Sequence, residues 1–427
     1  MKSVFAKKLI TLLTGTGLAQ IISLLFVYLL TFFYSPIDYK NYSVFVGLVT
    51  ILGGVITLKY ELAIPLVKKN EDAVSLVYLS ILITTVLSIV FFITSYFISL
   101  LFFSNYLYYI LIGAATIFFV GLYNILLHWA LREEAFTEIA VSRVSQSTIG
   151  GIIHTLLGFL GYTKYGLPVG NFFNFNAGFF RLLKVFRRRN VKPNWKLSKY
   201  NFYVFKKYPL FSTLESFFLN ASQHAPIILM GIFYGAQAGI FMLCTRIMAA
   251  PVGLIGENLK SLYLSEIGKI ENNNTKVKDL TENIINKTVL FGSIPILLIS
   301  IFGYFFADIF FPSSWKGIGA FMLIIAPWMN LSILSKSFSV YYNYTNKQEI
   351  NFYFNIMLFS SGVATLVVGH HYNLSRSIEY FCIVNFFIYF VYYVISSIRL
   401  GIFIKKIYFI TLIQTALMIS HLIFSPL

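Results

Sequence analysis

A dozen long apolar stretches dominate this chain, with little polar sequence between them. Leu9–Phe33 is followed by Tyr42–Val67, Val74–Phe103, Leu107–Leu131 and Ile139–Gly161, and the alternation runs on to the C-terminal end. Each stretch is long enough to cross a bilayer, which takes about 20 apolar residues as a helix. Only 11% of the residues are charged, against about 25% in soluble globular chains. Hydrocarbon is therefore the main solvent, and the sequence predicts an all-α, polytopic membrane protein. The 45 Phe and 29 Tyr suit lipid contact and interfacial belts.

The predicted spans are 9–33, 42–66, 74–103, 107–131, 137–161, 165–184, 208–233, 236–258, 286–310, 317–342, 350–370 and 376–399. A further apolar run, Ile407–Phe424, reads as a thirteenth crossing or an interfacial helix. Lys2, Lys7 and Lys8 precede the first run as in a signal peptide. That run is too long, however, and ends in Thr31-Phe-Phe-Tyr-Ser-Pro36 without a small-residue cleavage site, so it reads as an uncleaved first helix.

A net charge of +17 would suit nucleic acid, but the cations sit in loops between apolar segments rather than in a basic domain. That is the pattern of the positive-inside rule, and no nucleic-acid partner is expected. With the N-terminus in the cytoplasm, 26 Lys and Arg fall inside and four outside (Lys40, Lys164, Lys316 and Arg376), while Lys59, Arg246 and Lys336 lie within helices. Six spans precede the basic segment and six follow it, so both halves enter the membrane from the same side. The expectation is two parallel six-helix lobes around a central cavity. Their limits are 1–186 for the N-terminal lobe, 187–207 for a basic cytoplasmic linker, 208–400 for the C-terminal lobe and 401–427 for a terminal apolar segment.

No catalytic or metal signature is present. Gly15-Thr-Gly17 lies inside the first span, not between a strand and a helix. It reads as a place where helices approach closely rather than a dinucleotide loop. His370-His371 has no Cys, Asp or Glu beside it at ligand spacing, so a hydrated interface pair is the better reading. Cys244 and Cys382 both fall in apolar segments, and neither spacing nor setting suggests a disulfide or a metal site.

Ionisable residues inside spans carry more information, because they are costly in hydrocarbon and usually face a cavity or a partner. Arg246 lies 14 residues before Lys260, about 20 Å from that edge and near the midplane. Lys336 and Lys59 lie shallower, at roughly 16 Å and 13 Å, where snorkelling competes with a cavity role. Glu215, about 12 Å into the seventh span, would face Arg246 or Lys59, or bind a proton or Na⁺. In Lys59-Tyr-Glu61 a helical spacing sets the two charges about 200° apart, on opposing faces.

Unpaired intramembrane cations suit an anionic substrate, since Arg matches phosphate oxygens bidentately and Lys supplies a point charge. A lipid-linked pyrophosphate carrying sugars would use Arg246, Lys59 and Lys336 for its head. Gln20, Asn124, Asn220, Gln223, Asn330, Tyr341 and Tyr342 are candidate walls for the sugars, or else interhelical hydrogen-bonding residues.

Thr14-Gly-Thr-Gly-Leu-Ala-Gln20, Tyr34-Ser-Pro-Ile-Asp-Tyr39, Leu58-Lys-Tyr-Glu-Leu-Ala-Ile64 and Lys68-Lys-Asn-Glu-Asp-Ala73 resemble the polysaccharide biosynthesis (O-antigen and capsule repeat-unit) flippases. These belong to the multidrug/oligosaccharidyl-lipid/polysaccharide (MOP) exporter superfamily. The resemblance is concentrated in roughly the first 80 residues. Beyond them it rests on helix count, the basic middle segment and the run Arg246–Pro251. Two departures stand out: Lys59 where the family usually has Arg, and Lys40 where it usually has Gly.

The resemblance implies a two-lobed transporter of the bacterial inner (plasma) membrane. It would move undecaprenyl-pyrophosphate-linked oligosaccharide to the outer leaflet by alternating access, with no cofactor beyond H⁺ or Na⁺ coupling at Glu215 or Glu61. Its partners would be membrane lipids and the polysaccharide polymerase and chain-length machinery. The alternatives are a multidrug or small-molecule exporter of the same fold, which would want cavity carboxylates, and a membrane glycan polymerase or ligase, which would want a large external loop.

Overall fold

The computed structural model describes residues 2–102, 107–188, 194–251, 274–345, 347, 349–402 and 404–424, and scattered positions of 252–270. The end of the eighth predicted span, with Lys260 and Lys269, lies largely outside them, as do 189–193 of the basic segment and the last residues of the terminal apolar segment. Among the described residues the chain is helical apart from short turns and connections, with no strand. Its helices are α1 (Lys2–Leu30), α2 (Pro36–Gly53), α3 (Asn70–Phe102), α4 (Leu107–Arg132), α5 (Phe136–Phe159), α6 (Thr163–Arg187), α7 (Trp195–Val204), α8 (Thr213–Phe233) and α9 (Ala236–Pro251). They are followed by α10 (Asn274–Thr288), α11 (Ile294–Phe310), α12 (Ile318–Tyr344), α13 (Glu349–His371), α14 (Ser377–Leu400) and α15 (Lys405–Phe424).

Contacts divide the chain into two compact units, Met1–Tyr34 with Asn41–His224 and Ser35–Lys40 with Ala225–Leu427. The change of unit falls inside α8, past the basic segment. Large apolar side chains such as Val86, Ile93 and Phe97 on α3 and Phe302, Phe305 and Ile309 on α11 are exposed. Runs of this kind on helices this apolar are lipid-facing surface.

In the first unit, small residues let helices meet closely. A Cβ at Gly15 of α1 would overlap that of Ala140 on α5 and lie 3.1 Å from its Cα. One at Gly121 of α4 would lie 2.6 Å from Thr84 Cγ2 on α3. The close-approach reading of Gly15-Thr-Gly17 therefore holds at Gly15.

The second predicted span, 42–66, is not one helix. α2 starts on a capping box, with Ser35 N and Oγ donating to Asp38 Oδ2 (2.9 and 2.7 Å) and Asp38 N donating to Ser35 Oγ (3.3 Å). Pro36 follows at the first helical position, where its missing N–H costs nothing. The helix then stops at Gly53-Gly54, a pair that weakens any helix, and three β-branched residues, Val55, Ile56 and Thr57, do not restore it. Leu58 and Lys59 take left-handed conformations (φ 49° and 60°) and lead into a tight turn at Tyr60–Ala63. α3 begins at Asn70 with Glu71 and Asp72 in its first turn, where the helix dipole favours acids.

The basic segment is more than a linker. It contains α7, whose polar face is hydrogen-bonded to the first turns of α3: Ser198 Oγ donates to Ser75 O (3.1 Å) and Asn201 Nδ2 to Asp72 O (3.3 Å).

In the second unit, Tyr39 sits edge-on against Trp315 at 5.0 Å, which fixes the Ser35–Lys40 stretch there. The ninth predicted span begins earlier than 286. α10 runs through a π-type turn at Val289–Ser293 into α11, giving a continuous helix over Thr275–Phe310. The same kind of turn, Tyr208–Ser212, leads into α8.

The terminal apolar run forms α15, and Lys405–Ile423 is long and apolar enough to cross a membrane. Arg376 Nη1 donates to Leu422 O at 2.7 Å, which ties the far end of α15 to the start of α14. α15 begins just after α14 ends, its far end meets the start of α14, and it packs chiefly on α12. The run is therefore a helix of span length.

Candidate functional site

Five charged residues were singled out from sequence, and they fall on both units. Lys59, Glu61 and Glu215 belong to the first, Arg246 and Lys336 to the second.

Lys59 and Glu61 do not point apart. Lys59 Nζ lies 3.8 Å from Glu61 Oε1. The expectation of opposing faces assumed a continuous helix, and the left-handed residue at position 59 brings the two side chains together. Glu61 is 1% exposed and its Oε2 has no hydrogen-bond partner among the described residues. Lys59 remains partly open, with 17% of its side chain exposed.

The broken segment is held from two sides within the first unit. Ser216 Oγ of α8 donates to Gly54 O (3.4 Å), and the Asn220 amide lies against Gly54 where any side chain would clash. On the other side, Arg132 at the end of α4 donates to Ile64 O (3.3 Å), Val67 O, Lys68 O (3.1 Å) and Asn70 Oδ1 (3.0 Å). A single guanidinium thus organises the turn from the broken helix into α3.

Glu215 lies in the first turn of α8, exposed, with no ion pair among the described residues. Of the two readings for Glu215, a cationic partner or binding of a proton or Na⁺, the ion pair with Lys59 is not formed. Its near neighbour in sequence, Ser216, makes the contact to the broken segment.

Arg246 is half-buried on α9, a short apolar helix, and makes no ion pair or hydrogen bond among the described residues. Lys336 on α12 is half-buried and lies across Gly256, where a Cβ would come within 3.1 Å of its Cδ and 3.6 Å of its Nζ. The missing side chain at Gly256 leaves the room that the lysine occupies.

Two of the polar candidates are committed to helix packing. Asn330 is fully buried and its Nδ2 donates to Thr411 Oγ1 of α15 (3.4 Å). Tyr342 is fully buried with its hydroxyl 2.8 Å from Ser396 Oγ of α14. The interhelical reading holds for both.

Arg143, counted among the cytoplasmic loop cations, sits within a helix. It lies inside α5, half-buried, donating to Thr16 Oγ1 of α1 (2.6 Å) and meeting the Tyr123 hydroxyl of α4. Its position as the seventh residue of the predicted span 137–161 is the signal for this.

His370 stacks on Phe233 at 4.2 Å, and Cys244 and Cys382 are free and buried. Among the described residues no cluster of three or more His, Cys, Asp or Glu could hold a metal ion.

The fold is similar to those of solved membrane transporters. It matches the lipid II flippase MurJ in an inward closed conformation with a TM-score of 0.72 at 14% identity, over 98% of this chain and 93% of that one. A multidrug resistance MATE family transporter in an inward-facing conformation matches at 0.66 and 15% identity, over 92% and 94%. A MOP superfamily transporter from Pyrococcus furiosus, whose binding pocket is described as of reverse polarity, matches at 0.62 and 14%, over 92% and 96%. No curated protein sequence matches the chain.

Within that class the family is defined by sequence. Residues 64–320 match the family described as polysaccharide biosynthesis protein, and the chain belongs to it. It is a multi-pass membrane protein.

Proposed function

We propose that the chain moves undecaprenyl-pyrophosphate-linked oligosaccharide repeat units, precursors of O-antigen or capsule, from the cytoplasmic to the outer leaflet of the bacterial inner membrane. Family membership supports the substrate class, and Arg246 is the observation that carries the reading. A half-buried guanidinium in an apolar helix, without a protein partner among the described residues, is a costly feature that an anionic headgroup would offset. Its planar fork suits phosphate oxygens. Lys336 is the second cation assigned to the head.

Lys59 enters conditionally. Its charge is occupied by Glu61 at 3.8 Å, so it is free for an anion only when Glu61 takes up a proton or Na⁺. That exchange would couple ion movement to substrate release, with Glu215 as the alternative coupling carboxylate. The N-terminus is assigned to the cytoplasm by the distribution of Lys and Arg, and the polymerase and chain-length proteins would act on the product.

The test compares a deletion strain with one carrying Arg246→Ala, assayed for surface polysaccharide and for the leaflet holding the lipid-linked repeat unit. Both strains should lose surface glycan and trap intact repeat units on the cytoplasmic face, with the variant present in the membrane at normal level. Unchanged glycan in the deletion strain would overturn the substrate assignment and favour small-molecule export, which the MATE-like fold also accommodates. Unchanged glycan in the variant alone would remove Arg246 from the site.

A further inference from the structure

α7 is built the wrong way round for a helix facing water. The two residues it buries are polar, Ser198 and Asn201, at 3% and 2% exposure. They share one face by their spacing and are spent on backbone oxygens of α3. The start of the helix is closed by Asn194, whose Oδ1 accepts from Lys196 N (3.1 Å) and Leu197 N (3.4 Å). Its outward face carries Trp195 (59% exposed), Tyr200 (63%) and Tyr203 (61%). Lys196 and Lys199 on the helix, and Lys206 and Lys207 just beyond it, are exposed as well. No Asp or Glu occurs between Asn194 and Leu214.

The level of α7 follows from its contacts. It is bonded to Asp72 and Ser75 in the first turns of α3, where the polar start Asn70-Glu-Asp72 gives way to the apolar stretch from Ala73. α7 therefore lies where α3 enters the hydrocarbon, at the height of the lipid headgroups. Tyr and Trp concentrate at that level, and clustered lysines beside them attract anionic headgroups.

We propose that α7 is a binding surface for anionic phospholipid. Lys196, Lys199, Lys206 and Lys207 take the headgroup phosphates, and Trp195, Tyr200 and Tyr203 settle into the interface. The connection between α6 and α8 is thereby anchored to the membrane surface. This inference does not depend on what the protein transports.

Trp195 supplies the probe: of the four tryptophans it is the exposed one, since Trp129 and Trp315 are fully buried and Trp328 is partly buried. The full chain is reconstituted into vesicles of phosphatidylcholine and phosphatidylglycerol at one fixed composition, with bromine on the acyl chains of one lipid or the other. The fluorescence difference between wild type and Trp195→Phe isolates the Trp195 signal. Brominated phosphatidylglycerol should quench it more strongly than an equal fraction of brominated phosphatidylcholine, with a local enrichment of about fivefold. The K196Q/K199Q/K206Q/K207Q variant should lose the excess while Trp195 is still quenched by both lipids.

Equal quenching by the two lipids in the wild type would overturn the proposal. So would the absence of quenching by either, which would indicate a soluble partner for this face. If the quadruple variant does not assemble, added salt replaces it. The phosphatidylglycerol excess must then shrink in the wild type as ionic strength rises, and an excess indifferent to salt refutes the role of the lysines.

Discussion

Replacing Lys59 by Met isolates the energetics of the broken segment. Glu61 is 1% exposed, its Oε2 is unbonded, and its ion pair is to Lys59 Nζ at 3.8 Å. At that distance, with an effective dielectric constant of about 20, the attraction is about 4 kcal/mol. Removing one partner of a buried pair typically costs about 3–5 kcal/mol, because the remaining charge is left uncompensated. The two estimates agree, so Lys59→Met should lower the melting temperature of the detergent-solubilised protein by several degrees.

The double variant Lys59→Met/Glu61→Gln should recover most of that loss, since replacing both members leaves no stranded charge. Lys59→Gly separates charge from backbone. It relieves a left-handed conformation worth about 1–2 kcal/mol but loses the larger ion pair, so it should still be destabilising and fall between Lys59→Met and wild type. Melting followed by size-exclusion fluorescence gives the order. A Lys59→Met protein as stable as wild type, or a double variant no better than the single, would show that Glu61 is not held as a carboxylate by Lys59.

Further outcomes follow from the same geometry. Arg132→Gln removes charged hydrogen bonds to Ile64, Val67, Lys68 and Asn70 and should cost about 2–4 kcal/mol. Faster tryptic cleavage at the exposed Lys68 and Lys69 would report it. Gly15→Ala places a methyl group onto Ala140 and should destabilise by about 1–3 kcal/mol, with Ala140→Gly in the same chain restoring the melting temperature. Cysteines placed at Tyr372 and Ser420, both exposed, should label from the same side of the membrane, because Arg376 ties Leu422 to the start of α14. Labelling from opposite sides would show that α15 does not cross.

The class of fold was legible because hydrocarbon leaves few choices. Apolar runs of this length and number fix a multi-pass helical protein before any contact is known. What was not legible is where helices break and where they dock. Gly53-Gly54 is a visible weakness, yet the contacts that hold the break at Gly54 come from Ser216 and Asn220 of α8, about 160 residues later. α7 escaped notice because its pattern is inverted, with Ser198 and Asn201 inside and aromatics outside. α10 carries too many charges to read as part of a span, and its continuity with α11 is set by packing rather than by hydropathy.

The candidate site illustrates the same limit. Sequence marks a cation at membrane depth but not the group that answers it. Lys59 is answered by Glu61, Arg143 by Thr16 and Tyr123, and Arg376 by the Leu422 carbonyl and, at 3.6 Å, by Glu379. Arg246 stands apart from these, half-buried on α9 with no ion pair or hydrogen bond among the described residues. On the proposed reading this charge is kept for its ligand, at a cost of about 2.5–3.5 kcal/mol for an Arg within an apolar helix. Arg246→Leu should therefore raise the melting temperature of the purified, substrate-free protein while abolishing export in cells. A gain in stability with loss of export is the signature of a charge kept for its ligand. If Arg246→Leu instead melts lower than wild type, the guanidinium has a structural partner and the substrate assignment at this position fails.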